Sequence, residues 1–556
     1  MLKFSLVTMA LLATSQTAFA QQAPPGAGGQ LQQIPPAPAP EKKAPELQFE
    51  RPGAPDDNVT GGATVRVESV RVAGNSLFSE AELIAVADVR PGREMSLSDL
   101  RAAAARIADF YNERGYILAQ AYLPAQDIKD GIVTIAVVEG RYGKVDLRNG
   151  SHLSDASARR ILNGLESGDP VANGPLERRL LLLSDIPGVR VKSTLAPGTE
   201  IGTSDVIVDI VPGRSVSGSI EADNAGNRYT GTYRLGGTLY LNNPMGMGDQ
   251  VSLRLLGSTG GLAYGRAAYQ LPVGNATIGA AFTHLRYALG REFDVLDADG
   301  SADIFSLFGS YPLIRSRRLN LNALAAAEYR LLEDRIGLVS SESDKDIRAM
   351  TIGFGGDSRD DLGGGGLNVF SAGWTIGRLG LESPAERAVD SLTARSQGGY
   401  GKLQFSAARL QTLSGPFSLY GAVRGQLAFD NLDSSEKMEL GGAYGVRAYP
   451  EGEAYGDQGY IATAEARLML SQWTGNLPGR LQLIAFVDAG EVRFAHDPWF
   501  TGSNHASRSG YGAGLVWAGP RGFVARASYA RKLGDAPATS APDRSGRFWF
   551  QVTKLF

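Results

Sequence analysis

Residues 232–243, TYRLGGTLYLNN, place Tyr233, Leu235, Leu239 and Leu241 on one side of an extended chain and Thr232, Arg234, Thr238 and Asn242 on the other. That is the period of a strand with one apolar and one polar face. FSLYGAVRGQLAF (417–429) and GYIATAEARLML (459–470) repeat the pattern. From Val216 to Phe556 it recurs in about sixteen segments of about ten residues, the length of a tilted membrane strand. The sixth begins near Ile304 and the eighth near Ile347. Beyond the N-terminal leader no run of 18 apolar residues occurs anywhere in the chain. A chain of this kind crosses a bilayer only as a closed barrel, which satisfies every backbone polar group without water.

The connections point the same way. NNPMGMGD, PVGN and LIRSRR, after the second, fourth and sixth segments, are short, as is AGPR after the fourteenth. After segments five, nine, eleven, thirteen and fifteen the connections are read as longer than about ten residues, the asymmetry of an outer-membrane barrel with short periplasmic turns and longer outer loops. The predicted barrel covers 214–556.

Ahead of it the pattern differs. MLKFSLVTMALLATSQTAFA has Lys3, an apolar stretch from Phe4 to Ala13, and Ala18-Phe19-Ala20 before Gln21. This is the layout of a secretory signal peptide over 1–20, cleaved between Ala20 and Gln21. Residues 21–64 are dominated by Pro, Gly, Ala and Gln, and the prolines leave no room for an amphipathic helix, so a linker is expected. Residues 65–141 and 142–213 then each read β-α-α-β-β, an internal duplication. In the first, Ser79 and Glu82 form a helix-start pair, and Leu97, Leu100, Ala104, Ile107 and Tyr111 share one face of the longest helix.

Chemistry is sparse. The chain has no cysteine, so disulfides and thiol catalysis are excluded, and its net charge of −3 gives no reason to expect nucleic acid. His152, His284, His496 and His505 are scattered. GGGG at 363–366 lacks a following Lys-Ser or Lys-Thr, and Asp357, Asp360 and Asp361 read as a solvated turn. No catalytic constellation, metal site or cofactor site is expected.

Two small units before a sixteen-stranded barrel resemble the two-partner secretion transporters, the outer-membrane half of haemolysin and adhesin secretion systems. The resemblance rests on VRVAGNSLFSEAEL and RGYILAQAYLPAQDIKDGIVTIAVVEGRYG in the first unit, and on LERRLLLLSDIPGVRV and LAPGTEIGTSDVIVDI in the second. These look like the family's paired POTRA domains. GGAYGVRAYPEGEAYGDQGY, 441–460, falls between segments eleven and twelve. Its Val446, Arg447 and Tyr449 resemble the family's VRG(Y/F) signature, with Ala448 in place of the usual Gly. The resemblance implies a loop folded into the lumen whose Arg447 meets an acid on the wall. The matching acid is in FVDAG on segment thirteen, where Phe486, Asp488 and Gly490 share one face. Alternation independently turns Asp488 inward, since a carboxylate facing lipid is costly. In a wet channel such a pair is expected to contribute only about 1 kcal/mol.

The resemblance further implies a protein of a Gram-negative outer membrane, with its POTRA domains in the periplasm, that exports one unfolded exoprotein. Phe556, ending an aromatic last strand, resembles the signal read by the barrel-assembly machinery. Outer-membrane lipid is the other partner, and a monomer is expected. Many relatives plug the pore with an N-terminal helix, which the prolines of 21–64 do not lead one to expect. An outer-membrane insertase of the same superfamily is the alternative; the two units and LPAQDIKDG favour secretion.

Overall fold

The computed structural model describes residues 24–38, 46–49, 64–470, 475 and 477–556. Ala18, Ala20 and Gln21 lie outside the described residues.

In the first periplasmic unit, strand Ser69–Ala73 leads into α2 (Glu80–Ala87) and α3 (Leu97–Glu113), then strands Gln120–Tyr122 and Ile132–Val138 (α1 is the luminal helix described below). Ser79 Oγ accepts from Glu82 N and caps α2, and Ser96 and Asp99 form a capping box on α3. Leu100, Ala103, Ala104, Ile107 and Tyr111 bury the face of α3 that packs on the sheet. Leu97, expected on that face, sits in the first turn and stays exposed.

The second unit runs Arg141–Asn149, α4 (Asp155–Leu162), α5 (Asn173–Ser184), Val189–Pro197 and Thr203–Pro212. Its sheet gains a fourth strand from the linker, because Glu46–Phe49 pairs in parallel along Val189–Pro197.

The two units meet at Glu139. Its buried carboxylate accepts from Ser76 N at 2.6 Å, Leu77 N at 2.7 Å, Tyr111 Oη at 3.0 Å and Arg141 at 3.2 Å. Arg141 also donates to Gly168 O of the second unit at 2.7 Å.

The barrel closes with sixteen antiparallel strands. They are β1 Val216–Asp223, β2 Arg234–Asn242, β3 Gln250–Ser258, β4 Ala263–Val273, β5 Ala276–Ala288, β6 Ala298–Arg315, β7 Leu319–Ile336 and β8 Ser341–Asp360. They continue with β9 Gly366–Leu381, β10 Gly398–Thr412, β11 Phe417–Ala428, β12 Gln458–Met469, β13 Arg480–Arg493, β14 His505–Ala518, β15 Phe523–Lys532 and β16 Gly546–Leu555. β1 pairs with β16 from Ser219–Leu555 to Asp223–Gln551, and Phe556 and Gly218 exchange backbone hydrogen bonds just beyond. The second unit is fixed to the periplasmic rim. Asp185 takes a two-bond grip from Arg315 at 2.7 and 2.9 Å, and Arg178 donates to the carbonyls of Pro312 and Leu313.

β6 and β8 begin at Ala298 and Ser341, well before the expected Ile304 and Ile347, so the connection after β5 shrinks to residues 289–297. The cause is an inversion of polarity. Above the lipid-facing band the outer face of these strands is polar (Asp299, Asp303, Asp344, Asp346), while Ala302, Leu332, Ile347 and Leu379 are buried on the inner face. Alternation persists there with its sign reversed.

That apolar cup holds a helix the prolines argued against, which corrects the reading of 21–64 as a plain linker. α1 (Ala27–Gln32) has only six residues, between Pro25 and Pro35. So short a helix is marginal by itself, and the barrel supplies its bonds. Asp334 accepts from Ala27 N at 2.7 Å, Thr230 donates to Gln30 at 2.9 Å, Arg234 donates to Gln33 O at 2.8 Å, and Gln33 donates to Tyr455 at 2.6 Å. Gly28 is required by close approach, since a Cβ there would lie 2.3 Å from Ser435 Cβ.

Glu139→Gln should lower the stability of the periplasmic region by ~2–3 kcal/mol, because several donors lose a charged acceptor. Burial pushes the Glu139 carboxyl up, but the Ser76 and Leu77 hydrogen bonds outweigh it and hold it below the ordinary 4.5. Its contribution is therefore complete above about pH 4.5 and lost as the pH falls through its own lower pKa. Hydrogen exchange of residues 64–213 across this range checks both.

Candidate functional site

β11 and β12 are joined by residues 429–457, which fold back into the lumen. Two residues at the tip pack against the wall: Val446 and Tyr449 are fully buried, in one cluster with Leu440, Ile484 and Phe486. The Ala448 methyl meets Gly510 of β14, where any Cβ would come within 2.4 Å of it. The extra carbon at 448 is thus accommodated by a missing one at 510.

Arg447 lies between Val446 and Ala448 and is aimed at β13. Its Nε donates to Asp488 Oδ2 at 2.8 Å and one terminal nitrogen to Asp488 Oδ1 at 2.7 Å, a two-bond fork. The other terminal nitrogen donates to Glu465 at 2.9 Å, and the backbone N–H of Arg447 also reaches Asp488, at 3.2 Å. The guanidinium lies 3.4 Å from the centre of the Phe486 ring. Thr463 donates to Asp488 at 2.9 Å, Arg467 grips Glu465 at 2.7 Å, and Trp549 of β16 donates to Arg447 O at 2.7 Å.

This site is dry. Asp488 has no exposure and the Arg447 side chain has 12%. The expectation of a weak pair in a wet channel is therefore corrected: loop tip, wall and aromatic ring together exclude the water that would screen it. Removing Arg447 leaves the buried Asp488 with Thr463 but no counter-charge, which costs about 3–5 kcal/mol.

Further anchors hold the rest of the loop. Asp433 pairs with Lys345 at 2.9 Å, Glu436 with Lys402 at 2.7 Å and with Arg330, Lys437 with Asp457 at 2.6 Å, and buried Glu453 with Arg508 at 2.7 Å. Glu453 also accepts from Thr539 N and Ser540 N, tying this loop to the one between β15 and β16. Burial pushes the Glu436 carboxyl up, but Arg330 and Lys402 outweigh it and hold it below its ordinary value.

Among the residues singled out in the sequence, Val446, Arg447, Tyr449, Phe486 and Asp488 converge here. Gly490 faces Leu440 of the same cluster. Phe556 stands apart, partly exposed at the barrel seam. Of the turn aspartates, Asp360 pairs with Arg409 and Asp361 with Arg318. Among the described residues no group of three His, Cys, Asp or Glu is placed to hold a metal. Sequence reasoning missed Glu465, Arg467, Lys402, Arg330 and Arg508. All are charged residues at inward positions of alternating strands, and that was the available signal.

The model of the haemolysin secretion/activation protein family ShlB/FhaC/HecB matches residues 202–515, more than half of the chain. The chain belongs to this family. A ShlB-type POTRA domain matches residues 65–140. The heme/hemopexin transporter protein HuxB of Haemophilus influenzae (strain 86-028NP) is 28% identical over 472 residues, covering 84% of this chain and 82% of that protein. The outer membrane transporter CdiB of Dickeya dadantii (strain 3937) is 23% identical and covers 78% of each. The structure of CdiB from Escherichia coli superposes with a TM-score of 0.71 at 21% identity, over 91% of this chain and 93% of that one. BamA from Haemophilus ducreyi shares the fold with a TM-score of 0.52 at 14% identity, over 88% of this chain. The fold is thus common to both readings of the sequence, and the family match decides for the secretion transporters. This is an outer-membrane protein of a transporter family, built from periplasmic POTRA units and a sixteen-stranded barrel.

A double-mutant cycle should return a coupling of at least ~2 kcal/mol between Arg447→Ala and Asp488→Ala, because both remove the same interaction. Unfolding of the detergent-purified protein measures it; independent, additive losses would contradict the geometry.

Proposed function

We propose that this protein captures one unfolded exoprotein with its periplasmic units and passes it outward through the barrel, without a catalytic step or cofactor. The observation that carries this reading is the seated loop: a salt-bridged floor in the lumen, with α1 resting on it, at the end of the path from the periplasmic rim. An extended substrate can add to a sheet edge through main-chain hydrogen bonds. Glu46–Phe49 already lines the outer edge of the second sheet, while Gln120–Tyr122 is the outer edge of the first. Both sheets thus present edge strands for a substrate to extend, with Ser69–Ala73 and Arg141–Asn149 as the opposite edges.

The role of the Arg447–Asp488 clamp in this reading is to hold the loop inward so that the lumen keeps one shape. α1 closes the path at rest, and its few polar bonds let an arriving chain replace it. No nucleotide is available at the outer membrane, so net movement comes from folding of the emerged exoprotein. Residues 1–20 would direct export, Phe556 would be read by the assembly machinery, and one barrel would act alone in outer-membrane lipid.

Two variants test the division of labour. A chain lacking 65–212 should insert and conduct ions yet secrete nothing. Arg447→Ala should insert at near-normal levels and lose most secretion, measured as exoprotein in the medium. Normal secretion by either variant would overturn the assignment.

A further inference from the structure

The outer wall of the barrel carries two like charges side by side, of which its own strands pair only one, Arg348 with Asp346. Arg348 on β8 and Arg378 on β9 are direct cross-strand partners. Both belong to the outward-facing set and are exposed. Like charges directly opposite each other on a sheet repel. Asp346 lies 3.4 Å from the Arg348 guanidinium, which nevertheless stays 72% exposed. Arg378 has no hydrogen-bond or ion-pair partner among the described residues.

Their place on the wall follows from the outward residues above and below them on the same strands. Phe282, Phe305 and Tyr329 are successive partners across β5, β6 and β7, and Tyr329 is the partner of Arg348. Because the strands are tilted, that row climbs the wall, and the aromatic beside the arginines is Tyr329, with its ring centre 5.6 Å from the Arg348 guanidinium. The next rows toward the periplasm are apolar and exposed: Met350 with Ile376, then Ile352 with Trp374. The next positions outward on β8 are Asp346 and Asp344. The short turn 361–365 at the other end of β8 and β9 is periplasmic, so the pair stands at the outer leaflet. Beyond Arg378 the neighbouring position on β10 is Gly399, where an added Cβ would meet only Gly377 O, at 4.0 Å. Phe429 and Trp374, with ring centres 6.5 Å apart, lie against Gly401, two residues nearer the periplasm on β10.

We propose that Arg348 and Arg378 together bind the phosphorylated headgroup of an outer-leaflet lipid, whose acyl chain lies along Ile376, Trp374 and Phe429. A phosphate matches the planar guanidinium fork. One anion between the two cations converts their repulsion into attraction, and the low-dielectric membrane boundary strengthens it. The site opens to the bilayer and not to the lumen, so its occupant is a lipid and not a passing soluble anion. Such a lipid would fix the height and rotation of the barrel in the outer leaflet.

The test uses the full-length transporter in detergent, incubated with lipopolysaccharide, with the same lipid after phosphatase treatment, or with inorganic phosphate, and read by native mass spectrometry. The wild type should retain at least ten times more phosphorylated lipid than Arg348→Gln/Arg378→Gln, and both should hold the dephosphorylated lipid equally poorly. Arg335→Gln, higher on the wall and paired with Asp299 at 2.9 Å, should match the wild type. Heat-modifiable migration reports whether each barrel is folded, and Arg378→Gln alone gives the same reading if the double variant does not assemble. Equal retention of phosphorylated lipid by wild type and variant would overturn the proposal. So would retention of the dephosphorylated lipid at the wild-type level, or inorganic phosphate binding as well as the lipid.

Discussion

A charge held out of water has to be met on every side, and Arg447 is. Asp488 takes two of its side-chain donors and its backbone N–H, Glu465 takes a third, and the Phe486 ring covers one face of the guanidinium. Each partner is itself held, Asp488 by Thr463 and Glu465 by Arg467. The consequence is a loop position that is discrete. A small displacement of the tip would strand both charges in a low-dielectric pocket, so the tip has no favourable half-seated position.

The contents of the lumen depend on that seat. Ser435, on the same loop, lies against Gly28 of α1, and Tyr455, also on the loop, receives the Gln33 hydrogen bond. On its other side α1 meets the apolar cup of the extended strands, with Ala27 among Leu285, Leu332 and Ile347. The plug is therefore gripped between a salt-bridged floor and an apolar wall. The two grips differ in kind. The floor is bonded to the barrel by charge pairs that resist partial motion, whereas the six-residue helix is held by a handful of neutral or singly charged hydrogen bonds. A chain entering from the periplasm meets the weaker of the two as the part that yields.

Much of this was legible in the alternation of the strands. The inward turn of Asp488 follows from Leu481, Leu483, Ala485 and Val487 sharing the opposite face, and the barrel follows from the absence of any other way across a bilayer. The Arg447 partnership was not derivable from spacing, because 41 residues of chain separate it from Asp488; there the resemblance carried the reading. The outer halves of β6 and β8 were missed because the strands leave the membrane and exchange polar and apolar faces. α1 was missed for a different reason. AGGQLQ has no amphipathic stripe, and its helicity is imposed by Asp334, Thr230, Arg234 and the Ser435 contact, none of them local in sequence. The dryness of the clamp was misjudged because a lumen was equated with water, while the loop itself fills it.

The claim that the Arg447–Asp488 pair holds the loop tip in place is tested most directly by hydrogen exchange of the amides at 441–452 in wild type and Arg447→Ala, both reconstituted in bilayers. Val446 N, bonded to Leu440 O at 2.8 Å, and Tyr449 N, bonded to Val446 O at 3.0 Å, report the seated tip. The account predicts that these amides lose protection in the variant while those of β12 and β13 keep theirs. Unchanged protection at the tip would contradict it.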